Sequence, residues 1–174
     1  LPEAKKHLHL VEVDKNPGAY GVMGASMGGL MALYTGMRFP QVFGRVLAQS
    51  GAYRIRGYEF VTSVLARAGE GKNLKIWMDC GKYEFLLPAN REMYRLLSEN
   101  GYDAVYREYN AGHNYPAWRD DIWRGLEHLF PPLEGLHDVL VATRLARHDR
   151  GHLAISGFGQ VCVRAPESVR EVIK

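Results

Sequence analysis

The chain has 174 residues, 47% of them apolar and 24% charged, which suits one folded domain and is too short for two ordinary ones. That balance excludes a disordered or collagen-like chain, and no apolar run reaches the roughly 18 residues that a membrane-spanning helix needs. The net charge of +3 is spread over scattered Lys and Arg, so there is no electrostatic footprint for nucleic acid.

In chain order, the first sixteen residues contain His7-Leu8-His9-Leu10-Val11-Glu12-Val13, which alternates like a strand. Gly18 to Gly24 reads as a buried strand ending in glycine. Ser26 to Arg38 carries apolar residues at helical spacing (Met27, Leu30, Met31, Leu33, Tyr34 and Met37), and Pro40 marks its end. Val46 to Ser50 and Leu74 to Asp79 are two further short strands. Pro88 to Asn100 is a helix, with Pro in the first turn and Gly101 just past the last. Ala104 to Tyr109 alternates like a fourth strand, and Pro116 opens a helix running to about Phe130. After Pro131-Pro132 the pattern weakens, with a helix over 136–147, a hairpin over 153–163 and a short closing helix over 166–173 as the expectation.

Strands and helices alternating through short loops predict an α/β fold, a mostly parallel sheet covered by helices. In such sheets chemistry gathers beyond the carboxyl ends of the strands. Residues 1–132 therefore read as the core, with 17–131 the clearest part, and 133–174 as a C-terminal extension of unknown role. Cys80 and Cys162 have neither disulfide-framework nor metal-site spacing, and two buried free thiols are the simplest reading. They fit either redox setting. The chain shows no export leader, so its compartment is not assigned, and a start without Met reads as processed, excised or engineered.

Gly24-Ala25-Ser26-Met27-Gly28 is a G-x-S-x-G motif, preceded by a strand and followed by an amphipathic helix. A serine there sits on a sharp turn, where side chains at 24 and 28 are expected to clash. The plainer alternative is Ser26 as an ordinary helix cap. On the catalytic reading, the Met27 backbone N–H faces the oxyanion that forms when Ser26 attacks a carbonyl. A serine hydroxyl needs a base, and the base needs an orienting acid, in the chain order Ser, acid, His. His113 lies directly after the fourth strand and is the expected base. Glu84 follows the third strand and is the expected acid, with Asp79 its main rival; Asp120 and Asp121 come after His113 and break the order. His7 and His9 are two apart and could share a metal, but no third ligand is evident, so no metal site is assigned. Tyr115 and Trp118 are candidates for lining a substrate pocket.

These residues together resemble the esterase D/enterochelin esterase family of α/β-hydrolases, which also contains feruloyl esterases and mycolyltransferases. Ala25 to Leu30, Ala32-Leu33-Tyr34, Pro40, Phe43-Gly44 and Gln49-Ser50-Gly51 are similar to its nucleophile region. Gly81-Lys82-Tyr83-Glu84 is similar to its acid segment, and Gly112-His113 with Trp118 to its histidine segment. The resemblance covers about 17–131 and implies a three-layer α/β-hydrolase-like sheet. It also implies a Ser26–His113–Glu84 triad acting without cofactor on a small-molecule carboxylic ester. The family carries several strands ahead of its serine, whereas 25 residues precede Ser26 here, so the sheet is expected to be truncated on that side. An exposed strand edge then favours self-association into a homo-oligomer. A non-catalytic hydrolase-fold fragment or subunit, and an acyltransferase using the same triad, are the competing expectations.

Overall fold

A computed structural model of the chain describes residues 9–54 and 73–131, together with 3, 6, 7, 63, 66 and 67. The expected elements in 133–174, and Cys162 with them, lie outside the described residues. Four strands form one sheet: β1 (Tyr20–Ala25), β2 (Phe43–Gln49), β3 (Lys75–Gly81) and β4 (Asp103–Tyr109). All three pairings are parallel and the strands lie side by side in chain order. Three helices cover the sheet: α1 (Met27–Arg38), α2 (Leu87–Glu99) and α3 (Tyr115–Leu129). Residues 9–12 carry no strand, against the alternation of the sequence there. Val11 is instead tucked against Ala19 and Tyr20, and its carbonyl accepts the Tyr20 hydroxyl at 2.5 Å.

The core explains the layering. Val22, Val46, Ala48, Ile76 and Met78 face Leu30, Leu33 and Met37 of α1 and Met93, Leu96 and Leu97 of α2. On the opposite face Leu47 and Trp77 meet Leu129, Leu126 and Ile122 of α3. The result is three layers, with α1 and α2 below and α3 above. β3 is buried from Ile76 to Gly81, since both its faces are covered. Its apolar residues therefore run without alternation, and each side chain such as Ile76 or Met78 contributes about 1.5–3 kcal/mol by leaving water.

Local chemistry sets the helix ends. Gly101, at φ 75°, closes α2: its N–H donates to the Ser98 carbonyl, and the Tyr102 N–H donates to that of Leu97. Asn114 caps α3, its side chain accepting from the Ala117 N–H at 3.0 Å. That cap fixes the chain one residue after His113.

Strand register positions the site. Ala25 pairs with Gln49, Gln49 with Asp79, and Asp79 with Arg107. β1 and β2 end level with each other, β3 and β4 run two residues further, and the segments starting at residues 26, 50, 82 and 110 all leave the sheet at its carboxyl-end rim. A cavity of about 220 Å³, lined by Pro17, Gly18, Arg45 and Lys75 among others, lies at the opposite, amino ends of the strands.

Candidate active site

Ser26 occupies the turn between β1 and α1 with φ 58° and ψ −121°. This backbone region is strongly disfavoured for a residue with a Cβ, and such strain is characteristic of functional turns. The surroundings hold it there. The Ser26 N–H donates to the Gln49 carbonyl at 2.9 Å, and its carbonyl accepts from Gly29, Leu30 and Ala52. Its side chain makes no capping bond to α1, so the plain helix-cap reading fails. The turn needs glycine at 24, where a Cβ would stand 2.3 Å from the Gly28 carbonyl oxygen. The expected clash at 28 is not found: a Cβ on Gly28 meets nothing within 4 Å. The second tight position is Gly29, 3.0 Å from the Gln49 carbonyl oxygen.

His113 and Glu84 converge on this serine. His113 Nε2 lies 3.0 Å from Ser26 Oγ, and His113 Nδ1 lies 2.7 Å from Glu84 Oε2. With Nδ1 donating to the carboxylate, Nε2 is left as an acceptor for the serine proton. The Glu84 side chain is fully buried and that of His113 is one-quarter exposed. Glu84 Oε1 accepts two further bonds, from the Gly81 N–H at 2.9 Å and the Ser50 hydroxyl at 2.6 Å. The Met27 N–H belongs to the first turn of α1, where backbone donors have no acceptor within the helix. Such a donor is available to an oxyanion.

Asp79, the rival acid, points elsewhere. Trp77 Nε1 donates to its Oδ2 at 2.9 Å, and the Gln49 side-chain amide also reaches Oδ2. Burial pushes its carboxyl up to about 7, Asp121 adds to the rise, and the Trp77 and Gln49 bonds and Arg107 oppose it. Asp121 pairs with Arg107 and Arg124 on the α3 side of the sheet. His128, in α3, has its ring 5.5 Å from that of Trp77 and tilted to it by 45°. Among the described residues no group of three or more His, Cys, Asp and Glu side chains is arranged to hold a metal ion. Cys80 is buried and free.

Tyr115 is half-exposed at the start of α3. Trp118 stands edge-on to His113 with ring centroids 4.8 Å apart, and its indole N–H donates to Ser50 Oγ at 3.0 Å. It therefore braces the site as well as bordering it. Sequence reasoning passed over three residues here. Phe85 is exposed, with its ring 5.4 Å from that of His113. Ser50 sits between Glu84 and Trp118. Asn90, fully buried, grips Gly51 through both its N–H and its carbonyl. The available signals were a serine ending a strand and a polar side chain on the apolar face of α2.

A helix-covered parallel sheet, with a strained serine at a strand-to-helix turn and an imidazole and a carboxylate meeting it at the rim, defines an α/β-hydrolase fold. Comparison with known proteins narrows the class. Residues 11–129 match the family described as "Putative esterase", and the chain belongs to that family. The iron(III) enterobactin esterase of Escherichia coli K12 is 36% identical over 124 residues, covering 67% of this chain and 30% of that protein. An acetyl esterase of Caldicellulosiruptor saccharolyticus is 28% identical over 137 residues, covering 60% of this chain and 52% of that protein. The enterobactin esterase of Shigella flexneri, solved in the presence of 2,3-di-hydroxy-N-benzoyl-glycine, is 35% identical with a TM-score of 0.56. That match covers 63% of this chain and 31% of the solved one. The chain thus spans about one-third of the length of the enterobactin esterases it matches.

Proposed function

We propose that this chain works as a serine esterase on small or soluble carboxylic esters, through an acyl-enzyme on Ser26. The observation that carries the reading is the unbroken hydrogen-bonded line from Ser26 Oγ through His113 to Glu84, at 3.0 and 2.7 Å. His113 Nε2 takes the hydroxyl proton as Ser26 Oγ attacks the ester carbonyl carbon. The tetrahedral oxyanion is met by the Met27 N–H. When it collapses, the C–O bond to the alcohol breaks and the imidazolium returns the proton to the departing alkoxide. Water then attacks the acyl-serine carbonyl as His113 accepts its proton; the bond to Ser26 Oγ breaks, the imidazolium returns the proton to Oγ, and the carboxylic acid leaves. Glu84 holds the imidazole in the tautomer that leaves Nε2 free to accept. The names of the relatives, enterobactin esterases and an acetyl esterase, support ester hydrolysis. The one-quarter exposure of the His113 side chain supports an open site suited to soluble esters.

The test is covalent labelling. A fluorophosphonate probe should label the wild-type chain at Ser26 and leave Ser26→Ala unlabelled, and wild type should hydrolyse p-nitrophenyl acetate. Equal labelling of both proteins, or equal hydrolysis by both, overturns the reading.

A further inference from the structure

We propose that Ser50 is a positioning residue, whose hydroxyl fixes the Glu84 carboxylate in the orientation that His113 requires. The inference rests on the esterase reading above and adds a residue to it. Ser50 is fully buried, so water does not compete for its side chain. An indole N–H only donates, so the 3.0 Å bond from Trp118 Nε1 occupies a lone pair of Ser50 Oγ. The Ser50 proton is then directed to Glu84 Oε1, 2.6 Å away. With the Gly81 N–H also donating to Oε1, that oxygen is held twice and Oε2 is left to His113. Rotation of the carboxylate would break both bonds.

The backbone supports the same conclusion. Ser50 has φ 47°, in the left-handed region where glycine is the unstrained residue. A serine there bears conformational strain that glycine avoids, and the one hydrogen-bonding group it adds is its hydroxyl. The strained peptide is held on both sides. The Ser50 N–H donates to the Asp79 carbonyl at 2.7 Å, and Asn90 clamps Gly51 at 3.0 and 2.9 Å. The adjoining residues serve the other two members of the triad. The Gln49 carbonyl accepts the Ser26 N–H, and the Gln49 side chain donates to the Trp118 carbonyl in the helix that follows His113. One short segment thereby holds the nucleophile's backbone, the acid's side chain and the helix that follows the base.

Ser50→Gly removes the hydroxyl and relieves the backbone, so it separates positioning from folding. On p-nitrophenyl acetate, kcat should fall roughly 10- to 100-fold with KM within about twofold, the size expected for a misaligned catalytic group. In a Glu84→Ala background the same substitution should change kcat less than about twofold, because its effect passes through Glu84. Trp118→Phe removes the indole N–H that aims the Ser50 proton and should lower kcat by a few-fold, non-additively with Ser50→Gly; this variant keeps the question answerable if Ser50→Gly unfolds. Wild-type kcat in a folded Ser50→Gly overturns the inference, as does an equal loss with and without Glu84. An active, probe-labelled wild type with unaffected Ser50→Gly sinks this inference alone. A wild type that neither turns over nor labels sinks the esterase reading with it.

Discussion

His113 Nε2 stands 3.0 Å from Ser26 Oγ, although 87 residues of chain separate them. The contact exists because β1 and β4, the two outer strands of the described sheet, are parallel and open onto the same rim, and because Asn114 caps α3 immediately after the histidine. A pair placed this way acts as a unit. Ser26→Ala and His113→Ala should each lower kcat on p-nitrophenyl acetate by roughly 10⁴-fold or more, and the double variant should be no worse than either single. Glu84→Ala should cost less, since it orients rather than transfers a proton. A double variant whose loss equals the product of the two single losses would contradict this.

The glycines of the turn should separate by stability. Gly24→Ala drives a Cβ into the Gly28 carbonyl and should cost at least about 1–3 kcal/mol, with loss of probe labelling. Gly28→Ala enters open space inside α1 and should leave stability unchanged or raise it by up to about 1 kcal/mol. Thermal unfolding of the two variants checks this. A larger loss for Gly28→Ala than for Gly24→Ala would refute the steric argument.

Asn90 carries a stability prediction away from the reacting atoms. Its side chain satisfies the Gly51 N–H, the Gly51 carbonyl and the Leu86 carbonyl, all in the buried interior. Asn90→Ala leaves the buried Gly51 N–H without its partner, while the Gly51 and Leu86 carbonyls keep the Tyr53 and residue-90 N–H groups, and should cost about 1–3 kcal/mol. Urea unfolding should show a lower midpoint at an unchanged slope. A midpoint equal to wild type would mean that water replaces the lost bonds.

Asp79 should make stability depend on pH. Its carboxyl is raised to about 7 chiefly by burial, so the folded chain holds a proton that the unfolded chain releases near pH 4. Between those values the folded state binds more protons, and stability falls as pH rises. The stabilising contribution is complete below about pH 4 and gone above about pH 7. Asp79→Asn is neutral throughout and keeps an acceptor for Trp77. Its stability relative to wild type should therefore climb across this window by a few kcal/mol in order of magnitude and level off above it. Parallel stability curves for the two proteins from pH 4 to 8 would exclude the effect.

Much of this architecture was readable in the residues. Helical spacing from Met27 to Met37, proline and glycine bracketing Pro88 to Asn100, and the alternation of Ala104 to Tyr109 all have local causes, and the elements formed within a few residues of their expected ends. The strand expected over His7 to Val13 did not form at 9–12, because alternation states only that one side is buried. Leu10, Val11 and Val13 bury that side as loop residues against β1.

Local chemistry in the chain was enough to identify a serine on a glycine turn, a histidine after the last strand and a sheet covered by helices. Each of these follows from residue type and near-neighbour sterics. Which carboxylate meets the imidazole depended on tertiary structure. Asp79 and Glu84 both border the end of β3, but the pleat sends Asp79 toward Trp77, while the turn after Gly81 brings Glu84 back under His113. The hydrogen-bond partners of Ser50 and Asn90 were likewise decided by tertiary structure, since they lie 34 and 39 residues away. A hydrogen bond between such residues comes from strand register and helix docking, and the local sequence at either end carries no mark of the other.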